Sequence, residues 1–168
     1  MRQLWAPWRM VYVGGGETAR PGCIFCVKAG ETRDEENLIL IRGETCFALM
    51  NLYPYNTGHL MIAPYAHVPS IQQMSVDSLT EMMTLAQRLL DALQQALGPQ
   101  GYNLGINQGE IAGAGIADHA HLHIVPRWNG DTNFMPVIAD IKVVPEFLES
   151  TYQKIRERLQ PPSPPSEP

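Results

Sequence analysis

A chain of 168 residues, 45% hydrophobic and 17% charged, has the length and balance of one soluble globular domain with a sizeable core. A net charge of −5 argues against a broad nucleic-acid surface, which needs a basic face, and no run reaches the ~20 apolar residues that span a bilayer. The start, MRQLWAPWRM, is broken by proline and arginine and lacks a signal-peptide core, and three cysteines suit a reducing compartment. The expectation is a cytoplasmic protein with neither membrane nor nucleic-acid partners. An acidic chain can still hold a phosphate, because clustered backbone N–H groups bind anions locally.

In chain order, residues 1–20 mix Trp5, Trp8, Met10 and Tyr12 with Arg9 and read as an arm packed on something. CIFCVKAG (23–30) predicts a short helical turn stopped by Gly30. LILIR (38–42), TCFALMN (45–51) and HLMIAP (59–64) predict strands, and Cys46 in the second reads as a buried core thiol. The connector LYPYNTG is turn chemistry.

A long helix follows. Ser78 and Glu81 have capping-box spacing, though Ser75 or Asp77 can also start it. Leu79, Met82, Met83, Ala86, Leu89, Leu90, Leu93 and Leu97 form its apolar stripe, with the methionine pair read as core, and Gly98 and Pro99 stop it. YNLGINQG (102–109) predicts another strand, and GEIAGAGIAD links it to the next. A second helix is expected from Pro145 to about Leu159, burying Phe147, Leu148, Tyr152 and Ile155. The tail, 161–168, is too rich in proline to pack and is expected to be disordered. Strands separated by hairpin-sized gaps predict an α+β domain over 1–160: a mostly antiparallel sheet of about five strands with two main helices to one side.

HAHLHIVPRW carries the chemistry. His119, His121 and His123 alternate with Ala120, Leu122 and Ile124, so a strand puts all three imidazoles on one face, whereas a helix turns the middle one roughly 200° away. Three readings follow: a metal site, nucleophilic catalysis with one imidazole attacking and its neighbours binding an anion, or solvated histidines brought together by chance. Gly109, Gly113 and Gly115 upstream allow close backbone approach to an anion, and Asn107 can hydrogen-bond sugar or phosphate, which favours a phosphate ligand. Separately, Cys23 and Cys26 have the Cys-x₂-Cys spacing of half a zinc site; the plain alternative is a reduced pair lining a pocket.

HAHLHIV resembles the histidine triad that names the HIT superfamily. CIFC, MNLYPYNTGHLMIAPYAHV, GINQG and VPRWNGD fall in the family's order, so the similarity covers most of the chain. LWAPWRM, NLYPYNTGHL and PRWNGDTNF look closest to the bacterial branch that includes diadenosine tetraphosphate phosphorylase. The resemblance implies that His121 attacks an α-phosphorus and carries the nucleotidyl group, while His123 contacts the phosphate. It implies that Asn51 binds ribose, Asn107, Gly113 and Gly115 lie along the phosphates, and Ile24 and Phe25 sandwich the base. It also implies a structural zinc on Cys23, Cys26, His67 and His119, and a homodimer whose sheets pair into a larger one.

One departure stands out: Gly115 occupies the position aligned with a serine or threonine that contacts the phosphate in many relatives. The expected activity is cleavage of a nucleoside phosphate, favouring dinucleoside polyphosphates, by hydrolysis or phosphorolysis. The alternatives are hydrolysis of an adenylyl phosphoramidate, a nucleotide-sensing module with little turnover, and a metalloenzyme with the metal on the histidine row.

Overall fold

Five apolar runs pair into a single antiparallel sheet in a computed structural model that describes residues 22–131 and 146–160. The predicted arm at 1–20, the helix start at Pro145 and the tail at 161–168 lie outside the described residues. The strands are β1 (Ile39–Arg42), β2 (Cys46–Met50), β3 (Leu60–Pro64), β4 (Gly101–Ile106) and β5 (Leu122–Arg127), in the order β1-β2-β3-β5-β4. Phe47 pairs with Ala63, and His123 lies between Met61 of β3 and Gly105 of β4. Three helices accompany the sheet: α1 (Ile24–Gly30), α2 (Val76–Leu97) and α3 (Leu148–Leu159).

All of β2 and β3 is buried because both faces of the sheet are covered. On one face Cys46, Ala48, Met50, Leu60, Ile62, Leu122 and Ile124 pack against α2 and α3. On the other, Ile39, Phe47, Leu49, Met61 and Ala63 pack against Phe25 of α1. The predicted one-sided placement of helices therefore holds for α2 and α3, while α1 caps the opposite face. Cys46 is a core thiol as expected, fully buried and with its pKa raised by that burial.

Two local expectations are corrected, and of the helix starts left open Ser75 is the one used. Helix α2 starts one turn earlier than the Ser78/Glu81 spacing suggests: the Ser75 side chain accepts the Ser78 N–H at 3.1 Å. Glu81 instead leaves the helix and accepts the backbone N–H groups of Glu44, Thr45 and Cys46 at 2.7, 2.6 and 2.9 Å, holding the β1–β2 turn. Of the methionine pair, Met82 is core and Met83 is exposed, since neighbours on a helix diverge by about 100°. Phe147 is exposed, because it is the extended residue before α3 and falls off the stripe formed by Tyr152 and Ile155.

The chain enters β1 through Leu38 at φ 57°, a left-handed conformation that is costly for a branched apolar residue. Burial of its side chain and the Met50 N–H bond to its carbonyl at 2.9 Å hold it there.

Candidate active site and metal centre

The histidine motif crosses the face that α1 covers, and only its last member belongs to the ladder. Strand β5 begins at Leu122, so His119 and His121 precede it, contrary to the expectation of three histidines on one strand. Past the last β3 partner, Ile62, the chain finds other hydrogen bonds: Ala120 N–H donates to the Val68 carbonyl at 2.7 Å. His119 and His121 are both buried.

Carbonyl acceptors fix which nitrogen of His119 and of His121 carries the proton. The Nδ1–H of His121 donates to the His119 carbonyl at 2.8 Å, since a carbonyl can only accept. The lone pair of His121 therefore lies on Nε2. Burial lowers the pKa of His121 and so favours the neutral ring, outweighing the hydrogen bond to the His119 carbonyl, which raises it. Phe25 lies against His119 and His121, with ring centroids 5.1 and 4.8 Å away, and meets Phe47 edge-on at 6.5 Å. The His121 and His123 rings meet at 74°, 4.7 Å apart.

A fourth histidine, unassigned by the sequence reading, completes this row. His59 is wholly buried, and its Nε2 is 2.9 Å from Nδ1 of His123. Two donors face its Nδ1, the Tyr55 N–H at 3.0 Å and the Asn51 amide nitrogen at 3.4 Å. A neutral His59 must then carry its proton on Nε2 and donate it to His123. That leaves the proton of neutral His123 on Nε2. A lone histidine just before the apolar run of β3, His59 gave no periodic signal in the sequence.

Cys23, Cys26, His67 and His119 converge, with one ligand atom from each lying within 4.8 Å of the others. The His67 and His119 Nδ1 atoms are 3.3 Å apart, Cys23 Sγ and Cys26 Sγ are 3.3 and 3.6 Å from His119 Nδ1, and Cys26 Sγ is 3.3 Å from His67 Nδ1. A tetrahedral zinc with Zn–N of about 2.0–2.1 Å and Zn–S of about 2.3 Å sets edges of roughly 3.3–3.8 Å. The donor set fits. His119 Nε2–H donates to the Pro64 carbonyl at 2.8 Å, which turns the Nδ1 lone pair toward the cluster and fixes the outer partner that metal-bound imidazoles use. Burial, then the neighbouring Cys23, raises the Cys26 pKa; a bound cation reverses that preference.

Helix α1, which delivers both cysteines, is pinned by Arg42. Its guanidinium donates to the carbonyls of Ala29, Glu31 and Lys28 at 2.8, 2.5 and 3.3 Å, and pairs with Asp34 at 2.8 Å. These carbonyls lie in or just past the last turn, where the helix leaves carbonyls short of donors; the Lys28 carbonyl also accepts the Glu31 N–H at 3.3 Å.

The remaining predicted site residues take up varied positions. Ile24 is half-buried beside the Phe25 cluster, whereas Phe25 itself is enclosed and forms the floor under the histidines. Asn51, at the end of β2, accepts the Tyr53 N–H at 2.9 Å with its side-chain oxygen. Asn107 reaches across the glycine-rich link toward the Gly113 carbonyl at 3.5 Å. Gly109 and Gly113 have φ of 82° and 83°, so glycine is required there; Gly115 is exposed and outside that region. Asp118 is exposed and has no part in the histidine row.

The HIT domain family matches residues 32–130, well over half of the chain. The chain belongs to the HIT family. An "AP-4-A phosphorylase" from Mycobacterium tuberculosis is 37% identical over 158 residues, spanning 90% of this chain and 80% of that protein. A "Bis(5'-adenosyl)-triphosphatase" from Dictyostelium discoideum is 32% identical over 89 residues, covering 53% of this chain and 59% of that one. Among solved structures, a zinc-bound histidine triad family protein from Mycobacterium smegmatis superposes with a TM-score of 0.66 at 25% identity, covering 82% of this chain and 93% of that one. The HIT fold read from the triad and its flanking motifs is therefore the fold found.

Proposed function

We propose that this HIT protein is a nucleotidyl hydrolase or transferase that cleaves a dinucleoside polyphosphate at the α-phosphorus through His121. The observation that carries the reading is the tautomer of His121, whose Nδ1–H is held by the His119 carbonyl at 2.8 Å and whose Nε2 lone pair is left to attack. The names of the mycobacterial and Dictyostelium relatives support the substrate class.

In the reaction, Nε2 of His121 forms an N–P bond as the bridging P–O bond breaks, its electron pair leaving with the polyphosphate oxygen. The imidazolium that develops keeps its hydrogen bond to the His119 carbonyl. Water or inorganic phosphate then attacks the same phosphorus, the N–P bond breaks, and the lone pair returns to Nε2. His123 donates its Nε2–H to a non-bridging oxygen, where charge grows in the transition state. Ile24 walls the base over the Phe25 floor, Asn51 binds the ribose, and Asn107, Gly113 and Gly115 line the phosphates.

Cys23, Cys26, His67 and His119 hold a structural zinc that ties α1 to the histidine segment. The protein works in the cytoplasm as a homodimer. No helix among the described residues is long and apolar enough to cross a membrane.

Rapid quench in base with α-labelled diadenosine tetraphosphate is expected to trap label on His121. His121→Ala is expected to lower turnover by more than the ~10²–10⁴-fold of a general acid–base group while nucleotide binding survives. Turnover within about tenfold of the parent overturns the assignment. Elemental analysis of unchelated protein should find about one zinc per chain.

A further inference from the structure

We propose that Asn56 and Asp131 are positioning residues for the histidine row, clamping the loop before β3 to the turn after β5 and so setting the tautomers of His59 and His123. Their catalytic consequence rests on the reading that His123 donates its Nε2–H to the phosphate.

The β3–β5 ladder ends at the pair Leu60 and Ile124. Just beyond it, Pro126 has no N–H to offer, and its carbonyl accepts the Asn56 side-chain amide at 3.0 Å. The same amide donates to the Asp131 carboxylate at 2.7 Å. Asp131 has a side chain only 9% exposed and also accepts Arg127 Nε at 2.6 Å, Arg127 Nη2 at 3.0 Å and the Trp128 N–H at 3.2 Å. One carboxylate thus joins the loop to the strand end. From the backbone of Asn56 the carbonyl accepts the His59 N–H at 3.1 Å, which closes the turn. The turn is also tight: at Gly58, φ +75°, a Cβ would lie 2.6 Å from a Leu97 methyl.

With the turn closed, the Tyr55 N–H meets Nδ1 of His59 at 3.0 Å. This donor forces the His59 proton to Nε2, and the 2.9 Å contact passes the preference to His123. If the clamp slips, His59 can take the other tautomer. His123 then donates from Nδ1 and turns a lone pair, instead of an N–H, toward the phosphate oxygen. A hydrogen bond becomes a repulsion without any change in the residues that touch substrate.

The experiment uses the full chain with ¹⁵N-labelled histidine and two-bond ¹H–¹⁵N spectra, together with kcat and KM for diadenosine tetraphosphate. The parent is expected to show the Nε2–H tautomer at both His59 and His123. Asn56→Ala should move part of both populations to Nδ1–H and lower kcat by about tenfold to 10²-fold, with KM changing far less. Asp131→Asn, which keeps size but loses the anion, should move both readouts in the same direction by less, and it decides the matter if Asn56→Ala does not fold. Unchanged tautomers in a folded variant overturn the clamp, whatever happens to kcat. A tautomer shift in a protein that forms no nucleotidyl-histidine supports the clamp and sinks the proposed function instead.

Discussion

His119 serves three partners with three different atoms: Nδ1 faces the cysteines and His67, Nε2–H holds the Pro64 carbonyl, and the backbone carbonyl holds His121. Only the first two are lost on His119→Ala. That substitution is expected to abolish stoichiometric zinc, measured by elemental analysis, while reducing kcat less than His121→Ala does. An equal loss of kcat would mean that the His119 ring takes part in the chemistry. Gly115 offers a gain instead. Because its backbone lies outside the left-handed region, Gly115→Ser adds a hydroxyl without that strain. A neutral hydrogen bond contributes about 0.5–1.5 kcal/mol, so kcat should rise roughly threefold to twelvefold, most for poor leaving groups. An unchanged ratio between good and poor leaving groups would place Gly115 away from the leaving group. At this scale the triad was legible because strict alternation is rare by chance. His59 was not, because its partner His123 lies 64 positions away and no local pattern links them.

Elements carry the next layer, and here Glu81 shows how spacing can mislead. Ser78 and Glu81 match a capping box, yet Ser75 caps the helix, and Glu81 receives three backbone N–H groups and the Thr45 hydroxyl from the β1–β2 turn. The spacing was visible in sequence; the turn that α2 packs on was not, since it is more than 30 residues upstream. Removing the carboxylate leaves those donors without their acceptor. Glu81→Ala is expected to destabilise the chain by about 1–3 kcal/mol, read from denaturant midpoints. The pH dependence follows from the same contacts. Desolvation raises the Glu81 pKa, but the hydrogen bonds outweigh it and the net shift is below the ordinary 4.5. A depressed native pKa adds stability that is complete above the unfolded value and is lost as pH falls through the native one. The gap between parent and Glu81→Ala should therefore narrow below about pH 4.5. A gap constant from pH 7 to pH 3 would show that packing alone accounts for the loss.

For the whole molecule, the sheet's two edges differ. At the β1 edge, Tyr152 of α3 donates its hydroxyl to the Ile39 carbonyl at 2.9 Å, and Arg42 bridges to the end of α1. At the β4 edge, Asn103, Leu104 and Gly105 are exposed, with Leu104 41% accessible. Open strand edges are templates for pairing, and proteins that leave them bare usually blunt them with charge. Strand β4, GYNLGI, has none. The α+β architecture and strand count were legible from alternation and turns. Which edge stays open among the described residues was not, because it depends on α3 docking across 113 positions. The homodimer is therefore expected to join two sheets through β4. Leu104→Lys places a charge at that edge and removes an apolar contact there. Light scattering coupled to gel filtration should show the parent at twice 18.7 kDa and the variant shifted toward the single-chain mass. A variant that keeps the parent's dimer Kd would put the interface elsewhere, and a monomeric parent would end the dimer reading. Single-turnover nucleotidyl transfer in the monomeric variant then decides what pairing contributes: a rate matching the parent means that each chain holds a complete site.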